Sequence, residues 1–450
     1  MKIALVTAKH CFDNSYDKYA NTRKFENIGV ESIAAVLRKN GFSVDLYNQS
    51  LQNLSNGKLL RALKNEGYNL IGFSTISSNA QATLALVKAL PRQIHKCLGG
   101  YAATFFPEEL LKEKGVDSVI RGEGEIPFLE LALAIKNGAD YHSIKNLGTK
   151  KELNPLRGLI DLDTLPTPSR DELKRLLNRL PKNAPRLALL SSSRGCYNKC
   201  SFCYAQRFYS LAEGKKVRYR DPEKIVDEIE ELVNGEYKID YIWFTDEDFI
   251  GRNPERVKVF AEEIIKRKLK FKFEIDCRSD AVDYGLFALL KEAGLATVFI
   301  GVESFSQTVL NRWNKGLKTE DNIRAITVLE KLGIRYLLGC IFFDEKTSLE
   351  ELQENLNFCK QYGFNNQNDP VRALKKYYDI YKVSLCIPED KTIKAIYKKV
   401  KRKTNTLFAT LNRLKIVFPL ECLCGKLDRA KTISGNYLYY LVFKEMKNRK

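Results

Sequence analysis

Short apolar runs alternate with segments of helical periodicity along most of this chain, and that alternation limits the folds open to it. Across residues 1–137, runs such as Lys2–Thr7 and Leu70–Thr75 are followed by helical patterns such as Asn27–Asn40 and Asn79–Leu90. Strands alternating with helices predict a parallel, doubly wound sheet. Ligands of such sheets bind beyond the carboxyl ends of the strands.

A second strand–helix series begins near Arg186 and continues to residue 368. Its strand patterns are Leu187–Ser191, Tyr241–Thr245, Phe271–Cys277, Thr297–Gly301 and Tyr336–Phe343, with helical patterns between them. Repeated βα units of about 30 residues favour a complete or partial barrel, with its site at the carboxyl ends of the strands. Residues 138–185, which include LPTPSRDE, are weakly periodic and rich in proline, and they are predicted to form a linker.

Three cysteines directly after the first strand of this second series form the most specific motif. Cys196, Cys200 and Cys203 have the spacing CxxxCxxC. Three thiolates on one loop can each bind one iron of a 4Fe–4S cluster, and the fourth iron then stays open to a ligand. Structural zinc, the competing metal, takes four protein ligands. No fourth cysteine or histidine lies near the motif, since the histidines are His10, His95 and His142.

At this loop the sequence resembles the radical S-adenosylmethionine (SAM) superfamily, including the aromatic residues beside the last cysteine. The resemblance implies that SAM chelates the open iron and is cleaved to a 5′-deoxyadenosyl radical. It also implies a partial or full barrel. Segments at three strand ends, WFTDEDF, DCRSD and GVES, fall where the family binds SAM. The SAM contacts that the resemblance implies are Phe202, Tyr204, Asp246, Glu247, Asp248, Arg278 and Glu303.

The N-terminal segments LGGYAATFFPEELL and VDSVIRGEGE resemble the cobalamin-binding domain that accompanies some radical SAM modules. Glycine-rich turns let the backbone approach a flat macrocycle, and small polar residues can bond its amides. The sequence lacks Asp-x-His-x-x-Gly, so no histidine is expected to ligate cobalt. A nicotinamide site is disfavoured because no G-x-G-x-x-G follows the first strand. The cobalamin contacts that this resemblance implies are Ser74, Thr75, Ser77, Asn79, Gly99, Gly100, Tyr101, Thr104, Gly122, Glu123, Gly124 and Glu125.

The expected architecture is therefore α/β, with a Rossmann-like cobalamin-binding domain over residues 1–137 and a partial (β/α) barrel radical SAM domain over 186–368. Residues 369–450 are expected to form a basic, mainly helical region that binds substrate. This region has 20 Lys and Arg against 7 Asp and Glu, a net charge of +13 out of +19 for the whole chain. Such a region suits an acidic partner.

The two resemblances together imply methylation of an unactivated carbon in a peptide or natural-product substrate. Radical cyclisation, rearrangement and peptide epimerisation are the alternatives. Epimerisation would need a thiol hydrogen donor, for which the candidates are Cys340, Cys359 and Cys386, with Cys277 beside them. A sensor that binds cluster and cobalamin without turnover is the hypothesis from another class.

The remaining predictions concern partners and compartment. An electron donor such as a flavodoxin or ferredoxin is expected, as is a small-molecule or peptide substrate. No stable nucleic-acid complex is expected, because the sequence has no helix-turn-helix, zinc-finger or RRM signature. Eleven cysteines at this length, an N-terminus that reads as a strand, and no apolar run long enough to span a membrane indicate a cytoplasmic protein.

Overall fold

The computed structural model describes residues 1–10, 25–181, 184–362, 375–379, 382–385, 387–399 and 402. Residue contacts divide the chain into two units. The N-terminal unit comprises the described residues of Met1–Leu180, Arg207–Arg218 and Tyr377–Val383. The barrel unit comprises those of Pro181–Gln206, Tyr219–Lys376 and Ser384–Lys450.

The N-terminal unit is built on a six-stranded sheet of order β2-β1-β3-β4-β5-β6. Its strands are β1 Lys2–Thr7, β2 Ser43–Asn48, β3 Leu70–Ser74, β4 His95–Gly99, β5 Ser118–Ile120 and β6 Leu147–Gly148. The helices between them are α1 Ile28–Lys39, α2 Asn56–Asn65, α3 Ala80–Ala89, α4 Tyr101–Phe105, α5 Pro107–Lys112 and α6 Glu125–Asn137. The first five strands are parallel and β6 is antiparallel to β5. The strand order reverses between β1 and β3, as in a doubly wound fold.

Both faces of this sheet are covered, which explains the continuous apolar runs of its strands. One core contains Val6, Ile71 and Leu98, and the opposite core contains Ile3, Leu5 and Leu70. Side-chain caps fix where helices begin: Asn27 accepts from the amide of Val30 at the start of α1, and Ser55 does the same for α2. Because β1 to β5 are parallel, their carboxyl ends lie at one edge of the sheet.

Residues 138–180, which the sequence assigns to a linker, carry β6, a 3₁₀ turn at Leu162–Thr164 and α7 at Asp171–Leu177. They belong to the N-terminal unit. Arg38 forms a two-pronged ion pair with Asp171, and Glu172 accepts from the amide of Asn27 and the side chain of Asn48. Polar contacts of this kind produce no hydrophobic periodicity, so the sequence pattern does not predict that these residues pack against the N-terminal sheet.

The barrel unit contains a five-stranded parallel sheet of order β13-β12-β11-β10-β7. Its strands are β7 Leu187–Leu190, β10 Tyr241–Phe244, β11 Lys272–Cys277, β12 Leu295–Glu303 and β13 Arg335–Cys340. The helices that lie wholly in this unit are α9 Pro222–Asn234, α10 Pro254–Lys266, α11 Tyr284–Glu292, α12 Gln307–Arg312, α13 Thr319–Leu332 and α14 Leu349–Tyr362. Short strands β8 Ser193–Arg194 and β9 Arg218–Tyr219 pair separately, as do β14 Lys375–Asp379 and β15 Lys382–Leu385. Helix α8 Tyr204–Ser210 and strands β9, β14 and β15 each contain residues assigned to both units. Strands that follow one another in a single direction are typical of a partial (β/α) barrel, as the sequence predicts.

Side chains alternate between the two faces of this sheet. Phe244 and Phe273 are fully buried against Phe260 of α10, with ring centroids 5.6 and 5.9 Å from it. Their neighbours along each strand, such as Trp243 and Glu274, point to the opposite, concave face of the sheet and are only half-buried. The carboxyl ends of the strands and this concave face are therefore where a ligand of the barrel can bind.

No helix among the described residues is both long enough and apolar enough to cross a membrane. Most of the basic region from Asp369 onward, including the predicted thiol donor Cys386, lies outside the described residues. The side chain of Cys359, on α14, lies outside them as well.

Candidate functional site

The three cysteines of the CxxxCxxC motif lie on one loop that runs from β8 to α8. The backbone amide of Cys203 donates to the carbonyl of Cys200 at 3.1 Å and closes the loop. Cys200 is buried, and Cys196 and Cys203 are half-buried. Burial raises the pKa of the Cys196 thiol to about 11 and raises that of Cys203 above its ordinary value. Iron would replace these protons, because a metal binds the thiolate.

The donor set fits a 4Fe–4S cluster better than a single ion. Among the described residues, no three His, Cys, Asp or Glu side chains converge closely enough to ligate one metal ion. An iron–sulfur cluster needs no such convergence, since each thiolate binds a separate iron. Three free cysteines on one loop, one of which already accepts a side-chain amide hydrogen bond, are the donors that such a cluster takes.

Asp246 and Glu247, at the end of β10, hold the backbone that leads into the cysteine loop. Asp246 accepts from the amide and hydroxyl of Ser192 at 3.0 and 2.7 Å, and also from the hydroxyl of Ser193. Glu247 accepts from the amide of Gly195 at 3.0 Å. Both carboxylates thus have a structural role, while contact between either of them and SAM stays a prediction.

Asp248, next along the chain, lacks such partners. It is 1% exposed, and neither carboxylate oxygen has a hydrogen-bond partner in the described structure. Burial raises its pKa to about 6, although the Gly251 amide and the cations Arg278 and Lys315 act in the opposite direction. A buried carboxylate whose oxygens lack a hydrogen bond of normal geometry is costly, so this residue is the best placed of the three to meet a ligand.

Arg278 and Glu303, the other polar residues predicted at strand ends, are both engaged by the chain. Arg278 forms a two-pronged ion pair with Asp280 and donates to the carbonyl of Lys315 at 3.0 Å. Glu303 accepts from the Lys315 ammonium at 3.0 Å. It has a φ of 59°, which is unusual for a residue with a side chain and occurs at a register shift between β12 and β13.

The aromatic residues at the cysteine loop have different environments. Phe202 packs edge-on against Trp313, with ring centroids 5.5 Å apart, and Tyr204 is 49% exposed. Tyr197, which is not among the predicted site residues, has the guanidinium of Arg252 4.3 Å from its ring centroid. Cation–π contacts of this kind stabilise a loop, but they join residues that are distant in the sequence and leave no local pattern that would predict them.

Two carboxylates on the concave face of the barrel are not among the predicted site residues. Tyr241 donates to Glu274 at 3.2 Å, and Asp276 lies two residues further along the same strand face. One oxygen of Asp276 is buried without a hydrogen-bond partner, and burial together with Glu274 raises its pKa to about 8. Polar residues at alternate positions of a strand normally indicate a solvent face, so the pattern does not single out Glu274. Asp276 opens the segment DCRSD, in which the resemblance implies only Arg278 as a SAM contact.

The predicted thiol donors that the structure describes are both buried. Cys340, at the end of β13, is 1% exposed and pairs in register with Glu303. Cys277 is 4% exposed, and burial raises its pKa well above the ordinary value. Buried thiols are typical of core packing. Their role as hydrogen donors stays a prediction.

In the N-terminal unit, the structure brings five of the predicted cobalamin contacts together. The amide of Thr75 donates to Gly99 at 2.8 Å, and the Thr104 hydroxyl links the carbonyl of Gly100 to the amide of Gly122. Gly100 has a φ of 91°, and a Cβ there would lie 2.8 Å from the Thr75 carbonyl oxygen. Only glycine therefore suits this turn.

Other predicted cobalamin contacts are used within the protein. Asn79 is buried and bonds the amide of Ile76 and the carbonyl of Ser74. Glu125 accepts from the Ser32 hydroxyl at 3.0 Å, and the ring of Tyr101 packs against Phe208. Ser77 and Gly124 are half-buried at the same edge of the sheet. Cobalamin contact by any of these residues stays a prediction.

Comparisons with known proteins agree with this geometry. The family model of the radical SAM superfamily matches residues 190–359, which contain the cysteine loop and the barrel strands, and the model of the B12 binding domain matches residues 22–132. The chain is a radical SAM enzyme with an N-terminal B12-binding domain. Its cofactors are accordingly a 4Fe–4S cluster, SAM and cobalamin.

Two relatives and one solved structure illustrate how far the similarity of this radical SAM enzyme extends. An uncharacterized methyltransferase of Pyrococcus horikoshii is 26% identical over 74% of this chain and 73% of its own length. The anaerobic magnesium-protoporphyrin IX monomethyl ester cyclase of Rubrivivax gelatinosus is 30% identical over 78% of this chain, which spans 65% of that protein. The cobalamin-dependent SAM radical enzyme OxsB with aqua-cobalamin bound has a TM-score of 0.81 at 18% identity, over 99% of this chain and 72% of that one. The last comparison confirms the fold.

Proposed function

We propose that this radical SAM enzyme transfers a methyl group to an unactivated carbon of its substrate. The observation that carries the proposal is the loop with three free cysteines on a partial barrel, in one chain with a sheet whose glycine turns suit cobalamin. When bound, the cluster supplies the electron that cleaves SAM to a radical, and cobalamin supplies the methyl group.

The protein's own task is to hold these groups in place and to keep water out. Cys196, Cys200 and Cys203 would bind the cluster. Asp246 and Glu247 fix the backbone from which these cysteines project. Asp248 is available to a positively charged group, because its buried oxygens have no partner among the described residues. The concave face, with Trp243 and Asp276, would receive the substrate.

The N-terminal unit would hold cobalamin at the turns that Thr104 ties together. A flat macrocycle needs backbone approach without side chains in between, and the Gly100 turn provides it. His10, three residues after the end of β1, forms a hydrogen bond with the hydroxyl of Ser78 at 3.0 Å and belongs to no Asp-x-His-x-x-Gly motif. We therefore propose that cobalamin is bound here without a histidine ligand to cobalt.

Partner proposals follow from charge and chemistry. A reductant such as a flavodoxin or ferredoxin would deliver the electron. The substrate would be a natural product or peptide, and the net charge of +13 after residue 368 suits one with acidic groups. The cytoplasm is the compartment we propose, because its reducing conditions preserve free cysteines.

Radical ring closure is the second candidate, and the cyclase of Rubrivivax gelatinosus favours it. That relative is 30% identical to this chain, a higher value than the 26% of the methyltransferase. Both reactions begin with the same cleavage of SAM, but cyclisation needs no methyl donor.

The products formed from SAM distinguish methyl transfer from ring closure. Protein reconstituted anaerobically with iron, sulfide and hydroxocobalamin is given SAM and dithionite, and 5′-deoxyadenosine and S-adenosylhomocysteine are quantified. Methylation predicts both products. Ring closure predicts 5′-deoxyadenosine alone. A well-folded protein with a full cluster that yields neither product would overturn both and favour a sensor. The variant with all three cysteines replaced by Ala is the control.

A further inference from the structure

A short turn, Trp313–Gly316, binds the cysteine loop directly. The amide of Ser201 donates to the carbonyl of Trp313 at 2.9 Å, and the side chain of Asn314 donates to the carbonyl of Lys199 at 3.0 Å. The turn is anchored on its other side, where the Trp313 indole donates to Asp344 at 2.8 Å. Its position relative to the cysteines is therefore fixed.

Asn198 connects this turn to a cysteine sulfur. Its side-chain amide donates to the Sγ of Cys200 at 3.0 Å and to the backbone carbonyl of Lys315 at 2.6 Å. Arg278 donates to the same carbonyl at 3.0 Å. Two independent donors thus hold the Lys315 backbone beside the loop.

The side chain of Lys315 is a buried cation. Lys315 is 5% exposed, and its ammonium lies 3.0 Å from Glu303 Oε1. Burial alone would lower its pKa, but the carboxylate of Glu303 outweighs this and raises the pKa, so the side chain is charged at neutral pH. The same ammonium acts electrostatically on Cys203.

We propose that Asn198 and Lys315 set the reduction potential of the cluster that the three cysteines hold, and that Glu303 limits the effect of Lys315. The inference rests on the proposed function only in that the cysteines bind a cluster. Adding one electron makes the cluster more negative. A buried cation and an N–H donor to sulfur both stabilise that added charge, so both raise the potential. The anion Glu303 has the opposite effect.

The test is a potentiometric titration of the reconstituted cluster, followed by EPR of the reduced form. It is done without SAM, because Glu303 is itself a predicted SAM contact. Lys315→Met and Asn198→Ala should each lower the midpoint potential. Glu303→Gln should raise it. We expect at least a tenfold change in the reduction equilibrium for Lys315→Met, which is about 59 mV for one electron.

Matched variants separate charge from packing. Asn314→Gly removes the other side-chain contact of the same turn, suits the φ of 50° at that position, and should leave the potential unchanged. Lys96→Met removes a buried lysine of the N-terminal unit and should also leave it unchanged. The double variant Lys315→Met/Glu303→Gln should lie between its two parents.

Opposite shifts in Lys315→Met and Glu303→Gln support the proposal. Unchanged potentials in both, with intact cluster absorbance, would overturn it without affecting the assignment of the cysteines. If Lys315→Met holds no cluster, Glu303→Gln and Asn198→Ala decide alone. Loss of the cluster from the unmodified protein would instead contradict the proposed function.

Discussion

Glu123 and Arg218 form a two-pronged ion pair in which both guanidinium nitrogens lie 2.8 Å from the carboxylate oxygens. Their side chains are 11% and 8% exposed, and Arg218 also donates to the carbonyl of Ile160 at 2.6 Å. The sequence predicts Glu123 as a cobalamin contact. In the structure its charge is satisfied by an arginine 95 residues further along the chain.

Replacing Arg218 should destabilise the protein strongly. Arg218→Ala leaves the Glu123 carboxylate buried without its cation, which costs about 3–5 kcal/mol. Thermal unfolding should show a clearly lower midpoint. Lys266→Ala, which breaks an exposed pair with Glu263, is the control and should change stability by less than about 1 kcal/mol. Equal effects of the two variants would mean that the Glu123 pair contributes no more than a surface contact.

Replacing Cys196, Cys200 and Cys203 with Ala should abolish the absorbance at about 400 nm that thiolate-bound iron–sulfur centres show. Cys97→Ala and Cys340→Ala serve as controls, since both remove buried thiols outside the loop. They should keep the cluster after anaerobic reconstitution. A cluster that persists in the triple variant would show that other cysteines bind it.

The stability of the protein should depend on the ionisation of Asp276. Its pKa is about 8 in the folded protein, above the value of 3.8 for an ordinary Asp, so the folded state binds the proton more tightly. Stability should therefore fall as the pH rises from about 4 to about 8. In Asp276→Asn this contribution disappears, and the variant should gain stability relative to the unmodified protein at pH 8 compared with pH 5. Parallel melting curves at both pH values would show that Asp276 does not titrate in this range.

Thr104→Val should weaken cobalamin binding while the sheet stays folded. The change removes the hydroxyl that links Gly100 to Gly122 and keeps the shape of the side chain. Protein loaded with hydroxocobalamin should retain it through desalting, and the variant should lose a larger fraction. Complete loss from the unmodified protein would show that the N-terminal unit does not hold cobalamin under these conditions.

Removing the residues after Asp369 should spare SAM binding and impair substrate processing. The segments that resemble SAM-binding regions all precede this point, whereas the basic charge follows it. Equilibrium binding of SAM to the reconstituted protein and turnover with the natural substrate are the two measurements. Unchanged turnover would refute a substrate role for this region.

Much of the fold follows from pattern alone. The strand Lys2–Thr7 begins and ends where the apolar run predicts, and the helical patterns Asn27–Asn40 and Asn79–Leu90 correspond to the helices Ile28–Lys39 and Ala80–Ala89 within one residue at each end. The cysteine loop can also be predicted from the sequence, since its three cysteines lie within eight residues of one another. Local signals of this kind need no knowledge of the tertiary structure.

The electrostatic pairing of the site could not be predicted in the same way. Lys315 forms an ion pair with Glu303, 12 residues away in the sequence. Asp246 accepts a hydrogen bond from Ser192, 54 residues away. The first pairing depends on the positive φ of Glu303 at a register shift, and the second on the pairing of β7 with β10. No local periodicity in the sequence reports either feature. Asp246, Glu247 and Asp248 look equivalent in sequence, yet only Asp248 has both carboxylate oxygens buried without a partner among the described residues.

Because Arg207–Arg218 belong to the same unit as Met1–Leu180, the residues of the N-terminal unit are not all translated before the cysteine loop. The ribosome synthesises the three cysteines before it reaches Arg218, the residue that neutralises Glu123. At 5–20 residues per second, the 38 residues from Leu180 to Arg218 take roughly 2 to 8 s to translate. The N-terminal unit therefore emerges from the ribosome without all of its residues. Glu123 cannot form its ion pair until Arg218 has been added to the chain, which happens after all three cysteines have been translated.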